Sequence, residues 1–83
     1  MGLPMYRLST PQQAGQILAA RRKTVGLSQA AAASKLGISQ NRLSELESSP
    51  ERLTLDRLIS LAGLLGLEVV LQEKVPPTDA SEW

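Results

Sequence analysis

The residues best suited to recognition chemistry in this chain are amides and hydroxyls. Gln40 and Asn41 stand side by side, Ser44 follows within one helical turn, and Gln29 lies upstream. A Gln or Asn side chain offers one donor and one acceptor face, which matches N6 and N7 of adenine bidentately when a helix lies in a major groove. Glu45 can accept from a cytosine amine, or else it is a solvated acid that repels wrong sequences. For Gln40 and Asn41 the bland alternative is two polar residues on a wet helix face. Catalytic chemistry has far less to work with. The chain has no histidine and no cysteine, so the commonest general base, the commonest metal ligand and any thiolate are missing. The carboxylates and serines are scattered, with no phosphate-cradling glycine loop. The expectation is a non-enzyme with no catalytic residue, no metal and no cofactor.

These side chains need a scaffold, and residues 27–47, LSQAAAASKLGISQNRLSELE, supply one. Ser28 is a good N-cap before an alanine-rich run of high helix propensity. Gly37 stands where that helix must end, since glycine tolerates a left-handed backbone. Ile38 plugs inward and Ser39 caps a second helix running to Glu47. Ala33, Leu36, Ile38, Leu43 and Leu46 form the apolar side, leaving Gln40, Asn41 and Ser44 to point elsewhere. Two short helices, a glycine turn and exposed amides make a candidate helix-turn-helix.

The flanking chain reads as support. Thr10, Pro11 and Gln13 form a strong helix start with a capping box. That helix is expected to run to about Val25, stopped by Gly26, with Ala14, Ile17, Leu18 and Val25 inward. Arg22 falls on the edge of this stripe. A half-sunk guanidinium needs a carboxylate or a phosphate, and Glu47 is the expected carboxylate; otherwise Arg22 snorkels to water. Residues 48–52 form a loop. Thr54 caps another helix, with Asp56 in its first turn and Leu55, Leu58, Ile59, Ala62 and Leu65 as its apolar face, ended by Gly66.

After Gly66 the pattern turns β-branched and partly alternating. Residues 67–72 read as a strand, with Glu68, Val69, Val70, Leu71 and Gln72 as its pairing residues. A lone strand needs a partner. Either the segment around Tyr6 supplies one, or the same strand of a second copy pairs antiparallel across a twofold, which makes a homodimer the expected unit. The division is therefore an N-terminal arm over 1–9, a helix-turn-helix domain over 10–67, a dimerisation strand over 68–73 and a disordered tail over 74–83. Trp83, the sole tryptophan, either folds back on the body or serves as a short motif for a partner or a proteolytic system.

At 83 residues this is one small domain with a thin core. Residues 1–67 carry eight of the nine basic residues against Glu45, Glu47, Glu51 and Asp56, while residues 68–83 carry Lys74 against Glu68, Glu73, Asp79 and Glu82. A basic body with an acidic tail fits a body that meets phosphate. Arg22, Lys23, Ser28, Gln29, Ser39, Arg42, Ser48, Ser49 and Arg52 are the candidates for DNA backbone contacts. Gln29 can serve either through its backbone N–H or by bracing Gln40 with its side chain. No apolar run approaches the roughly 20 residues of a membrane span, and the start lacks a signal peptide's layout. A cytoplasmic, nucleoid-associated protein without a membrane partner is expected.

Gln29, Ala33, Gly37, Leu43, Leu46 and Glu47 also fall where Cro/cI-type (XRE) repressors place their helix-turn-helix residues, and residues 10–67 resemble that family. The resemblance implies an all-α, compact Cro/cI-like (lambda-repressor-like) domain of four to five helices, here with one C-terminal β-strand pairing across a homodimer. It implies that Arg22 pairs with Glu47 near a phosphate, that Gln40, Asn41 and Ser44 meet bases, and that Gln29 supports them from the backbone side. Ala32 departs from the family, which usually carries a larger apolar residue there. The whole chain further resembles HipB-type antitoxins, through its single strand after the last helix, the run Tyr6-Arg7-Leu8-Ser9-Thr10-Pro11-Gln12-Gln13, and a polar tail ending Glu82-Trp83. That resemblance implies a dimer that binds an inverted-repeat DNA operator and a HipA-type serine/threonine kinase toxin. Its rivals are a stand-alone XRE-family repressor and a protein-interaction module that uses the same helices without DNA.

Overall fold

The computed structural model describes residues 5–74. Its described elements are helices α1 (Pro11–Thr24), α2 (Gln29–Leu36), α3 (Gln40–Ser48) and α4 (Leu55–Leu64), with a single 3-10 turn, Pro50–Arg52, between α3 and α4. The architecture is all-α. No described helix is long and apolar enough to cross a membrane.

Each helix begins on a side-chain cap that satisfies a backbone donor the helix cannot satisfy itself. The Thr10 hydroxyl accepts from the Gln13 N–H at 3.3 Å, and Gln13 Oε1 accepts from the N–H groups of Ser9 (2.6 Å) and Thr10 (3.2 Å), closing the capping box. Ser28, Ser39 and Thr54 accept in the same way from Ala31, Arg42 and Arg57. The turn between α2 and α3 depends on Gly37 at φ 74°, a left-handed conformation that favours glycine. It lets the Ile38 N–H reach back to the Ala33 carbonyl at 3.0 Å, which leaves Ile38 packed against the core.

The core is Leu18, Ala32, Ala33, Leu43, Leu61 and Leu65, joined by partly buried Leu27, Leu36, Ile38, Leu53, Leu58 and Leu64. Burying Leu43, Leu61 and Leu65 completely contributes about 1.5–3 kcal/mol each by apolar transfer. Ala32, at the position where the repressors this chain resembles usually carry a larger apolar residue, is fully buried within that core.

Two expected faces are corrected. Val25 is not inward but 41% exposed. It caps α1 at φ −85°, ψ 3°, outside helical phase, and Leu27 takes the inward place with its N–H on the Arg22 carbonyl. On α4, Leu55 and Ile59 are 69% and 52% exposed. At about 100° per residue, Leu58, Leu61, Ala62 and Leu65 share one arc, and Leu55 and Ile59 lie beyond its edge. A helix covered on one side buries only that arc.

Residues 67–74 continue α4 as irregular chain, and no described residue is in a strand. The segment around Tyr6 is likewise unpaired, so it does not supply the partner strand. Val69, Val70 and Leu71 remain exposed. Tyr6 and Leu8 are about half exposed, with Leu8 against a shallow apolar groove beside Pro11, Ala14, Pro50, Leu53 and Leu58. Trp83 lies outside the described residues.

Candidate nucleic-acid interface

The surface of α3 follows from what holds its back. Leu43 and Leu46 are buried, and the helical period sends Asn41, Ser44, Glu45 and Ser48 to the opposite arc, with Gln40 and Arg42 on its two edges. Gln40 and Asn41 are exposed and Ser44 is half-buried. No side-chain bond occupies the three among the described residues, so their hydrogen-bonding capacity is free for a ligand.

The edge beside Gln40 is anchored by a closed polar cluster. Arg22 Nε donates to Glu47 Oε2 at 2.8 Å, Nη2 donates to Oε1 at 3.2 Å, and Nη1 donates to the Leu27 carbonyl at 2.9 Å. Gln29 Nε2 donates to Glu47 Oε1 at 2.9 Å. Both charged side chains are only 8% exposed. A bidentate fork of this kind fixes orientation as well as charge. Three elements meet in it: the end of α1, the start of α2 and the end of α3. The Gln29 side chain therefore braces Glu47 and not Gln40, while its backbone N–H, ahead of the first helical bond, stays free.

α3 is also held through its backbone. Gly15 of α1 is buried, and a Cβ there would collide with the Glu47 carbonyl oxygen and lie 2.8 Å from Pro50 Cγ. Only hydrogen at this position lets α1 close on the end of α3 and the 3-10 turn. Sequence reasoning passed over Gly15, because its neighbours are more than thirty residues away in sequence.

Several phosphate candidates cluster at helix N-termini. Ser28 and Ser39 use their oxygens as caps and keep a hydroxyl proton to donate. The N–H groups that follow them at Gln29 and Gln40 precede the first helical bonds, where the helix dipole favours an anion. Lys23 and Ser48 are exposed and Ser49 is half-buried. Arg22, with its fork committed to Glu47 and Leu27, is a brace in this structure.

The opposite edge of α3 is open. Arg42 Nη1 pairs with Glu45 Oε1 at 3.1 Å, both side chains about half exposed, so Glu45 is neutralised locally by its i−3 neighbour. Arg52 makes no side-chain bond among the described residues. Arg57, which sequence reasoning did not single out, donates Nη1 to the Leu36 carbonyl at 3.3 Å, just before the Gly37 turn. Arg21 similarly donates Nε to the Leu65 carbonyl at 2.9 Å. Each guanidinium supplies a donor to a carbonyl at a helix C-terminus, which the dipole also favours.

The described residues contain no group of acids able to hold a metal ion. A family model described as helix-turn-helix matches residues 18–71, from the middle of α1 to beyond α4. A search of curated proteins finds no match.

Proposed function

The chain belongs to the Cro/cI-type (XRE) helix-turn-helix family, and from that premise we propose that it is a dimeric repressor of its own operon, acting as the antitoxin of a HipA-type kinase toxin. The observation that carries the DNA reading is the surface of α3. Gln40 and Asn41 stand free on a helix whose other side is locked by Leu43, Leu46 and the Arg22–Glu47–Gln29 cluster. A reader must hold its amides still relative to the bases, and this helix is pinned at its back while its front is unencumbered. Gln40, Asn41 and Ser44 contact bases. The capped starts of α2 and α3, together with Lys23, Arg42, Ser48, Ser49 and Arg52, meet phosphates.

Dimerisation is supported by the exposed apolar residues after α4. Val69, Val70 and Leu71 follow a buried helix end and are 42%, 65% and 95% exposed among the described residues, and unpaired backbone beside exposed β-branched residues invites a strand partner. A second copy pairing through residues 68–72 brings a second α3, and a dimeric reader of this kind requires its two reading helices about 34 Å apart, one turn of DNA, on an inverted-repeat operator. The antitoxin role rests on the likeness of this layout to HipB-type proteins.

Two measurements test the proposal. Val70→Pro removes a ladder donor and is expected to give monomers in sedimentation; a persistent dimer rules out strand pairing. A pull-down from the native host is expected to recover a kinase-like partner. Recovery of the homodimer alone, with operator binding intact, identifies a stand-alone repressor instead.

A further inference from the structure

Neighbouring arginines on α1 hold two different parts of the molecule. Arg22 is forked onto Glu47 at the end of α3. Arg21, about 100° round the helix, donates Nε to the Leu65 carbonyl at 2.9 Å. Leu65 is the C-cap of α4 and its side chain is buried, so the core grips the side chain while Arg21 grips the peptide that follows it. That peptide leads into Gly66 at φ 76°. The Gly66 and Leu67 N–H groups turn back to the Gly63 and Ala62 carbonyls at 3.1 and 2.8 Å, a Schellman closure that gives the Leu65 carbonyl no backbone donor. The guanidinium supplies one and lies along the glycine, with Nη2 3.4 Å from where a Gly66 Cβ would stand. A glycine hinge is loose by nature, and fixing the peptide plane before it stiffens the turn. Past Leu67 no backbone hydrogen bond holds residues 68–74 among the described residues, so their heading is set here.

We infer that Arg21 is a positioning residue that sets the direction in which residues 67–72 leave the body. Through Arg22 on the same helix, that direction is referred to α3. The inference rests on the proposed pairing of residues 68–72 for its consequence, though not for the clamp itself. Five extended residues reach about 16 Å, so a small rotation at Gly66 displaces their far end by several ångströms. In a dimer paired through that segment, Arg21 thereby fixes the spacing between the two α3 helices without itself reading a base. Arginine suits the task, because its stem packs along the helix while a rigid planar head presents the donor.

The test uses the full chain and Arg21→Met, which keeps an unbranched stem and removes the donor. Thermal melts check folding, and Arg21→Gln takes its place if the first variant melts early. In the parent, the Arg21 Nε–H is expected to exchange slowly with solvent; free exchange overturns the clamp whatever the variants do. The second arm follows direction. The chain has no cysteine, so nitroxides on Gln16→Cys and Glu73→Cys report one intrachain distance when labelled chain is diluted into unlabelled. The distribution is expected to be narrow in the parent and to broaden in Arg21→Met; an unchanged distribution overturns the inference. The third arm measures affinity for inverted repeats with one base pair inserted at the centre. That insertion moves the second half-site by about 3.4 Å and rotates it by about 35°. The parent's preference for its own spacing is expected to fall several-fold in Arg21→Met, whereas a lost phosphate contact would lower both affinities and leave their ratio. An unchanged ratio, with a parent that does discriminate, overturns the role in spacing. If the parent shows no dimer or no preference, the pairing of residues 68–72 falls separately, and the distance distributions alone decide for or against the clamp.

Discussion

The two flanks of α3 are both built on arginine, yet they do opposite things with it. On the α1 side, Arg22 is buried and every nitrogen of its fork is committed, to Glu47 and to the Leu27 carbonyl. On the α4 side, Arg42, Arg52 and Arg57 surround an open hollow that no carboxylate lines. Burial accounts for the contrast. A charge withdrawn from water must be matched inside the protein, whereas a charge at the rim can wait for a ligand. One flank positions α3 and the other is left available.

The largest effect should come from breaking the closed flank. Glu47→Ala strands a buried guanidinium and is expected to cost about 3–5 kcal/mol by denaturant unfolding. The double variant Arg22→Met with Glu47→Leu should recover much of that loss, since paired desolvated charges repay little over apolar packing. A double variant as unstable as the single one would show that the cluster's hydrogen bonds, and not its orphaned charge, carry the stability.

Next comes the backbone contact on the same flank. Gly15→Ala forces a methyl against the Glu47 carbonyl and Pro50, and overpacking of this kind costs about 1–3 kcal/mol. Operator affinity should fall along with the melting temperature, because α3 moves; unchanged melting would mean that α1 slides without resistance. On the reading surface itself, Gln40→Ala should weaken operator binding by about 1–3 kcal/mol per half-site, with stability and random-DNA affinity nearly unchanged. Equal losses on both DNAs would remove Gln40 from base reading.

The smallest effect belongs to the open flank. Arg42 and Glu45 are half exposed, and pairs of this type contribute about 0.3–0.5 kcal/mol. Glu45→Gln should therefore barely alter melting, but it frees Arg42 and should raise DNA affinity, more so at low salt. A drop in operator-specific affinity would instead give Glu45 a base contact.

Local chemistry was legible in the sequence wherever it is written in neighbouring residues. The caps at Thr10, Ser28, Ser39 and Thr54 and the left-handed turns at Gly26, Gly37 and Gly66 all follow from residue type and spacing. The approach of Arg22 to Glu47 was also readable, since a cation on an apolar stripe demands a partner. Contacts whose partner is a backbone atom far along the chain were not readable. Arg57 reaches a carbonyl 21 residues away and Arg21 one 44 residues away, and a carbonyl has no sequence signature. Gly15 escaped notice for the same reason. The exposed sides of Leu55 and Ile59 were misjudged because apolar residues outnumber the positions that α4 can cover.

The close seating of α1 on the end of α3, with only a hydrogen atom between them at Gly15, has a consequence for how such a protein can change. The helix is gripped by main chain and by its inner residues, as a tool bit is gripped by its shank. Gln40 and Asn41, at the working end, contribute nothing to that grip. Exchanging them should cost little stability, and their effects should add to those of changes on the far side of the domain. On the proposed reading, in which these two amides meet bases, new target sequences are accessible by swapping the bit, without rebuilding the chuck.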